Sequence, residues 1–343
     1  MNINSPTLFI EINNYQFNFV VSDVDENNNF RIILKDQTPI QGIEGKMITD
    51  FKLVHQAIKK GVYLIEQKLN FTFKDVILIL DNFIPSFINL TGYKKLNGSQ
   101  ILKENITFIL NSAKSNIDEF ENQKKILHIF NSKYCLDKKK VENLPLGLYG
   151  NLYTHELSFC LINNNNYKNI INIFDKLNLK VRKILLKSFI EGANLSINNK
   201  DIETFFHVEI NENKSKFFYF ENDALKFEQN YDFGSDLILN DISKITSLKK
   251  EIVKDFLSNS TINHITTDQE CIEKEFFVNE NYRKIKKKLI FDIASARIKE
   301  LSEVIVLKNV NSRSYLNKNF TIFIKIDGRN KFECFKESYR YHF

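Results

Sequence analysis

Hydrophobic positions along the chain fall into short alternating runs separated by turn formers, and into a few stretches with helical spacing. Residues 8–21 and 30–35 alternate aromatic or β-branched residues with polar ones. The polar residues 23–29 lie between them, which predicts a β-hairpin. Over Phe51–Leu69 the apolar positions are Val54, Ala57, Ile58, Gly61, Val62, Ile65 and Leu69, one face of a helix, with Asp50 placed to cap it. Residues 76–80 form a continuous apolar strand of the kind covered on both faces. Helices are expected near 100–115, 167–176 and 189–195, with a strand at 181–186. Strands at 204–210, 216–221 and 224–231, joined by turns at 211–213 and 222–223, then repeat the N-terminal hairpin pattern. Residues 281–307 read as the longest helix, apolar at Ile285, Leu289, Ile293, Ala296 and Leu301 and basic at Arg283, Lys286, Lys287, Lys288 and Arg297. The pattern as a whole is mixed α/β.

Composition narrows this less than the pattern does. A chain of 343 residues with 43% hydrophobic content is long enough for two core-forming units. Lys+Arg 48 against Asp+Glu 42 gives a net charge of +6, with the signs interspersed, so no nucleic-acid partner is expected. Cys135, Cys160, Cys271 and Cys334 lie far apart, which argues for reduced thiols in a cytosolic protein and against a zinc site or a disulfide framework. His55, His128, His155, His207, His264 and His342 show no metal-ligand spacing, and no metal is expected. No serine or cysteine has a nucleophile context, and paired carboxylates such as Asp23 and Asp25 sit in a turn, so no catalytic constellation emerges. Residues 1–12 lack the regions of a secretory signal. The apolar run 76–84 is broken by Asp81 and Asn82 and is shorter than the roughly 20 residues that cross a bilayer. The asparagine clusters 27–29 and 163–166 read as polar surface turns.

One segment carries more information than composition. Residues 126–162 run ILHIFNSKYCLDKKKVENLPLGLYGNLYTHELSFCLI: a strand bearing His128 that ends at Asp137, a charged stretch, a connection punctuated by Pro145, Gly147 and Gly150, and a second alternating strand from Leu152. This order resembles the bacterial actin-like cell-division family FtsA, whose first proline in this segment is replaced here by Asn131. The resemblance extends to residues 42–50, GIEGKMITD, followed by a helix with Glu66 late in its length. It also takes in residues 86–92 with 105–114, residues 177–181, and 234–242, where Gly234, Asp241 and Ile242 match and a second glycine and a threonine are lost.

The resemblance implies an α/β chain with the actin/Hsp70-like two-lobed ATPase fold and an inserted small α+β subdomain in the first lobe. Residues 1–83 and 163–202 would form the first lobe and 84–162 the insert. Residues 203–242 and 310–343 would form the core of the second lobe, with 243–309 its helical and stranded subdomain. Such ATPases hold phosphates in two glycine-rich β-turns whose N–H groups face the anion, with an acidic residue that positions Mg²⁺. At those places this chain has Glu11, Asn13 and Asn14, and Glu209, Asn211 and Asn213, with Glu212 added. The adenosine-side glycine cluster is reduced to Gly328 in residues 325–328. A carboxylate misplaced near a polyphosphate costs about 1–4 kcal/mol at close range, and losing the glycines removes close backbone approach. The expectation is therefore a pseudo-ATPase: no cofactor, with ATP/Mg²⁺ at most a weak ligand. Asparagine tolerates the left-handed backbone region, so a second reading keeps the turns open and makes the chain a divergent ATPase that still binds ATP.

The same resemblance implies an adaptor of bacterial cell division that works through surfaces. Its partners would be the C-terminal tail of the tubulin-like protein FtsZ, later division proteins and further copies of itself. Lys286 and Arg297 are the residues expected to grip the acidic tail, because a guanidinium pairs a carboxylate with two hydrogen bonds. The chain would act in the cytoplasm, at the cytoplasmic face of the inner membrane at the division site, with indirect or weak membrane contact. Phe332, Phe335, Tyr339, Tyr341 and Phe343 with Lys331, Lys336 and Arg340 form either an interfacial patch or a short tail packed on the second lobe.

Overall fold

A computed structural model describes residues 6–24, 29–81, 83–259, 269–278, 280–313, 320–327 and 332–343. The N-terminal run of alternation is two strands: β1 (Thr7–Ile12) and β2 (Gln16–Val24) are antiparallel across a break at residues 13–15, and β3 (Phe30–Pro39) follows. The single strand expected over 8–21 is thus corrected, because the polar run Asn13–Asn14 supplies a turn of its own. A small hairpin, β4 (Ile43–Glu44) and β5 (Met47–Ile48), turns through Gly45 and Lys46, both at positive φ. It leads into α1 (Phe51–Leu69), whose N-cap Asp50 accepts from the Leu53 amide at 3.0 Å and whose C-cap Asn70 is left-handed, as the sequence pattern requires at the start. Helix α1 buries Val54, Ile58, Gly61, Val62 and Ile65. It lies so close to β2 that a Cβ on Gly61 would fall 2.2 Å from the Phe19 ring.

Strand β6 (Asp75–Leu80) buries alternate residues only, so one face of the apolar run is fully covered and the other partly, short of the two-sided burial expected. The chain then builds the insert: β7 (Ser86–Lys95), α2 (Lys103–Phe120), β8 (Lys124–Leu136), β9 (Lys139–Val141) and β10 (Leu152–Asn163). Its sheet has the order β7-β10-β8-β9. Helix α2 covers it, with Ile109, Ala113 and Ile117 packed against Tyr153, Leu157, Phe159 and Leu161. The distinctive segment proves to be a set of fastenings. Asp137 Oδ1 accepts from the amides of Asn151 and Leu152, each at 2.8 Å, Gly147 turns at φ 82°, and a Cβ on Gly150 would strike Leu136 at 2.3 Å.

After the insert come α3 (Asn164–Asp175), β11 (Lys180–Leu186) and α4 (Lys187–Asn198). The cluster at 163–166 is not a surface turn but the start of α3, where Asn163 accepts from the amides of Asn165 and Asn166 at 2.9 and 3.2 Å. The first sheet has the order β11-β6-β1-β2-β3, with β1, β6 and β11 parallel and the hairpin strands antiparallel.

Strands β12 (Phe205–Ile210), β13 (Ser215–Glu221) and β14 (Ala224–Tyr231) are followed by α5 (Asp236–Thr246) and α6 (Lys250–Asn259). Then come α7 (Lys287–Ser302), β15 (Thr321–Ile326) and α8 (Lys336–His342). Their sheet, β14-β13-β12-β15, repeats the centre of the first: a meander with one parallel neighbour beside its first strand. The long helix expected over 281–307 is shorter. It starts at Lys287 because Lys286 bridges Cys271 in a strand-like contact, and a π-helical turn, Glu303–Leu307, ends it. Helix α1, with 19 residues, is longer.

Two compact units emerge from the contacts, Met1–Glu203 with Phe220–Phe227, and Thr204–Tyr219 with Glu228–Phe343. In the first, the tip of the β13–β14 hairpin is stitched to the insert. Ser132 Oγ donates to Glu221 at 3.1 Å, Asn222 Nδ2 to Ser132 O at 2.7 Å, and Ser158 Oγ to Leu225 O at 2.8 Å. In the second, Phe332, Phe335 and Tyr339 are buried, Phe335 against Phe291, and Ser302 Oγ donates to His342 O at 2.7 Å. The aromatic tail therefore packs on α7 instead of presenting an interfacial patch, with Tyr341 left exposed; Lys331 lies outside the described residues.

Candidate functional site

Open α/β sheets gather ligand-binding groups at the carboxyl ends of their parallel strands, and in the first unit this edge gathers charge. Glu11 is the penultimate residue of β1, Asp81 follows β6 and Lys187 follows β11. Parallel register aligns Ile12 with Leu80 and Leu80 with Leu186. The three side chains therefore meet, with Lys187 Nζ 2.8 Å from Glu11 Oε1 and 3.4 Å from Asp81 Oδ2. The second oxygen of Glu11 accepts from Asn18 Nδ2 at 2.9 Å, and Asn18 Oδ1 accepts from Gln16 Nε2 at 2.6 Å. Burial opposes the charge on Lys187. The Asp81 charge, the hydrogen bond to Glu11 and the Glu191 charge outweigh it and hold the ammonium above its ordinary pKa.

The β1–β2 turn is closed by its own side chain. Asn13 Oδ1 accepts from the amides of Tyr15 and Gln16, both at 2.8 Å, and the Asn13 amide donates to Gln16 O at 3.3 Å. Asn14 sits half-buried beside it. None of Asn13, Asn14, Asn211 and Asn213 adopts positive φ, so the left-handed backbone that would have kept glycine-like turns is not formed.

In the second unit Glu209 is the penultimate residue of β12, 5% exposed, and Lys325 is its direct partner on β15. Lys325 Nζ donates to Glu209 Oε1 at 2.7 Å. The following turn is closed by backbone. The Asn211 amide donates to Lys214 O, and the amides of Ser235 and Asp236, at the start of α5, donate to Asn211 O and Glu212 O, each at 2.9 Å. Gly234 makes this contact possible, since a Cβ there would lie 2.0 Å from Asn211 O. Asn213 is exposed at the tip. His207, two residues before Glu209, is pushed down to about 4 by burial, with Glu209 opposing and Lys325 and Lys216 assisting. Gly328 lies outside the described residues.

The two basic candidates separate. Arg297 is bound within the unit: its Nε pairs with Asp241 on α5 and its Nη1 with Glu300 at 2.6 Å. Expected as an anchor for a partner's carboxylate, Arg297 has its fork on two carboxylates of its own unit. Lys286 is exposed and makes no ion pair among the described residues. Sequence reading missed Lys187, Asp81 and the ionic role of Lys325. For Asp81 and Lys187 the available signal was a charged residue directly after an apolar parallel strand, whereas Lys325 lies within β15. Among the described residues no cluster of His, Cys, Asp and Glu could hold a metal ion, and no helix is long and apolar enough to cross a membrane.

No family model matches the chain. It is 23% identical over 239 residues to the cell division protein FtsA of Buchnera aphidicola subsp. Baizongia pistaciae (strain Bp). That alignment covers 70% of this chain and 56% of the relative, so the chain spans little over half of the relative's length. Among solved structures, a PilM–PilN type IV pilus biogenesis complex superposes with TM-score 0.57 at 8% identity, covering 97% of this chain and 84% of that one. The ethanolamine utilization protein EutJ of Carboxydothermus hydrogenoformans follows at TM-score 0.45 and 8% identity, covering 98% and 82%. With the strand order repeated in two of its sheets, the chain is an actin-like ATPase fold protein, mixed α/β with several sheets, distantly similar to FtsA.

Proposed function

We propose that this chain is a nucleotide-independent adaptor of bacterial cell division, built on the actin-like fold and acting through protein contacts. The observation that carries the reading is the filling of both phosphate turns. Glu11 and Glu209, where the fold's ATPases place the acidic residues that serve Mg²⁺, each hold a lysine of the same chain. In the first turn the amides of Tyr15 and Gln16 already donate to Asn13, and the second turn is packed over by the start of α5, whose Ser235 and Asp236 amides donate to Asn211 O and Glu212 O. A polyphosphate would have to break these bonds and lie beside unneutralised carboxylate, so the residues present do not fit ATP with Mg²⁺. The distant FtsA similarity supports a division role, and FtsZ's acidic tail is the proposed partner. The exposed Lys286, which makes no ion pair among the described residues, remains a contact for that tail, whereas Arg297 serves to hold α5 to α7.

Two measurements test this. Titration calorimetry with Mg-ATP should show no binding at millimolar nucleotide, and micromolar affinity would overturn the pseudo-ATPase reading. A labelled FtsZ tail peptide should bind the full chain and lose several-fold in affinity with Lys286→Glu. Absence of binding to the unaltered chain would remove FtsZ as the partner.

A further inference from the structure

We propose that the free edge of β7, with the facing side of α2, is a docking groove for an extended peptide of a partner protein that is apolar in its middle and acidic at one end. The surface belongs to the insert, and the inference stands whether or not the adaptor reading in cell division does.

An outer strand exposes a row of unpaired N–H and C=O groups, and proteins usually blunt such edges by shortness, lysines, prolines or bulges. The two edges of the inserted sheet differ in this respect. Strand β9 is three residues long and carries Lys139 and Lys140. Strand β7 is ten residues long, contains no proline, and pairs with β10 without a register shift through ten residue pairs. The β10–β8 pairing, by contrast, has two irregularities. The open side of β7 is thus a long, regular template for one more strand.

Beside this edge lies a groove of about 650 Å³, lined by residues 90–95 of β7 and by Phe108, Ile109, Ser112, Ala113 and Asn116 of α2. Six strand residues span about 20 Å at roughly 3.3 Å each, room for a peptide of about that length. The absence of a side chain at Gly92 sets its depth, because a Cβ there would lie 2.3 Å from Ile109 and force strand and helix apart. Leu90 and Ala113 make the floor apolar, while Tyr93 and Phe108 are 64% and 54% exposed at the mouth. Charge specifies the end of the ligand. Lys94 and Lys95 form no ion pair among the described residues, and the Lys94 ammonium sits 4.4 Å from the centre of the Phe108 ring. A peptide carboxylate is the complement missing from that end.

The test is selection from a phage-displayed library of random octapeptides on the full chain, followed by fluorescence anisotropy with the enriched peptides. Enriched sequences should alternate apolar and polar residues and end in Asp or Glu, and they should slow hydrogen exchange at the amides of 90–95. Lys94→Glu with Lys95→Glu should weaken binding at least tenfold without moving the thermal midpoint. Ser112→Arg, which fills the groove from α2, should do the same. Failure to enrich any peptide, enrichment without acidic residues, unchanged binding by the lysine variant, or protection at another surface would overturn the proposal.

Discussion

The two hairpin turns that begin the two sheets occupy equivalent places and are closed by different means. At the first, a side chain does the work, with Asn13 Oδ1 taking two amides of its own turn and Glu11 sharing Lys187 with Asp81. At the second, backbone from a distant loop does it. Ser235 and Asp236 donate into the turn over Gly234, and Glu209 meets a single lysine across the strand pair. The common outcome is satisfied polar groups at an edge where unsatisfied ones would be costly. The different routes show that this is a requirement of burial that any available neighbour can meet. They also imply that the two closures tolerate substitution unequally.

Gly234→Ala should have the largest effect. The added carbon would overlap the carbonyl of Asn211 and the backbone of Glu212, neither of which can rotate away as a side chain would. Separation of the loop from the turn would free the Ser235 and Asp236 amides, and a loss of about 3 kcal/mol is expected. Urea denaturation measures it, and a loss below about 1 kcal/mol would show that the second closure does not depend on close backbone approach.

Lys187→Met should come next. It leaves Glu11 and Asp81, whose side chains are 19% and 12% exposed, facing one another without their cation. Breaking a fully buried pair costs about 3–5 kcal/mol; Lys187 is 32% exposed, and screening reduces the expectation to about 2 kcal/mol. A neutral result would mean that the ammonium is incidental, and that the first turn is held by Asn13 alone.

How legible these closures were in the sequence depended on whether the partners were near one another along the chain. Helix α1 could be read from its apolar face and Asp50, because cap and helix are contiguous. The resemblance carried the fold, and the turn at 211–213 was located correctly, whereas the pattern ran a single strand through Asn13. The ion pairs were not legible, since 176 positions separate Glu11 from Lys187 and 116 separate Glu209 from Lys325. Only the parallel register brings them together. The internal pair of Arg297 was hidden for a related reason. Its charge and helical position suggested a ligand, yet Asp241, 56 positions away, had already claimed it. In the most distinctive motif, Asp137, Gly147 and Gly150 fasten a loop.

Lys325→Met should have the smallest effect, and salt should distinguish it from Lys187→Met. Glu209 is nearly buried but Lys325 is 42% exposed, so water and counterions reach the ammonium directly. Two opposing influences set the result. Stranding a buried carboxylate costs stability, while the pair that is lost was already screened, and a net loss of about 1 kcal/mol is expected. The Debye length falls from about 10 Å at 0.1 M to about 3 Å at 1 M salt. The difference between the unaltered chain and Lys325→Met should therefore shrink at high salt, while that for Lys187→Met, flanked by two poorly exposed carboxylates, should persist. Chemical denaturation by urea at both salt concentrations makes the comparison without adding ionic strength from the denaturant. Equal salt sensitivity in the two variants would show that both carboxylates are closed by the same kind of contact, leaving only the backbone of Gly234 to distinguish the second turn from the first.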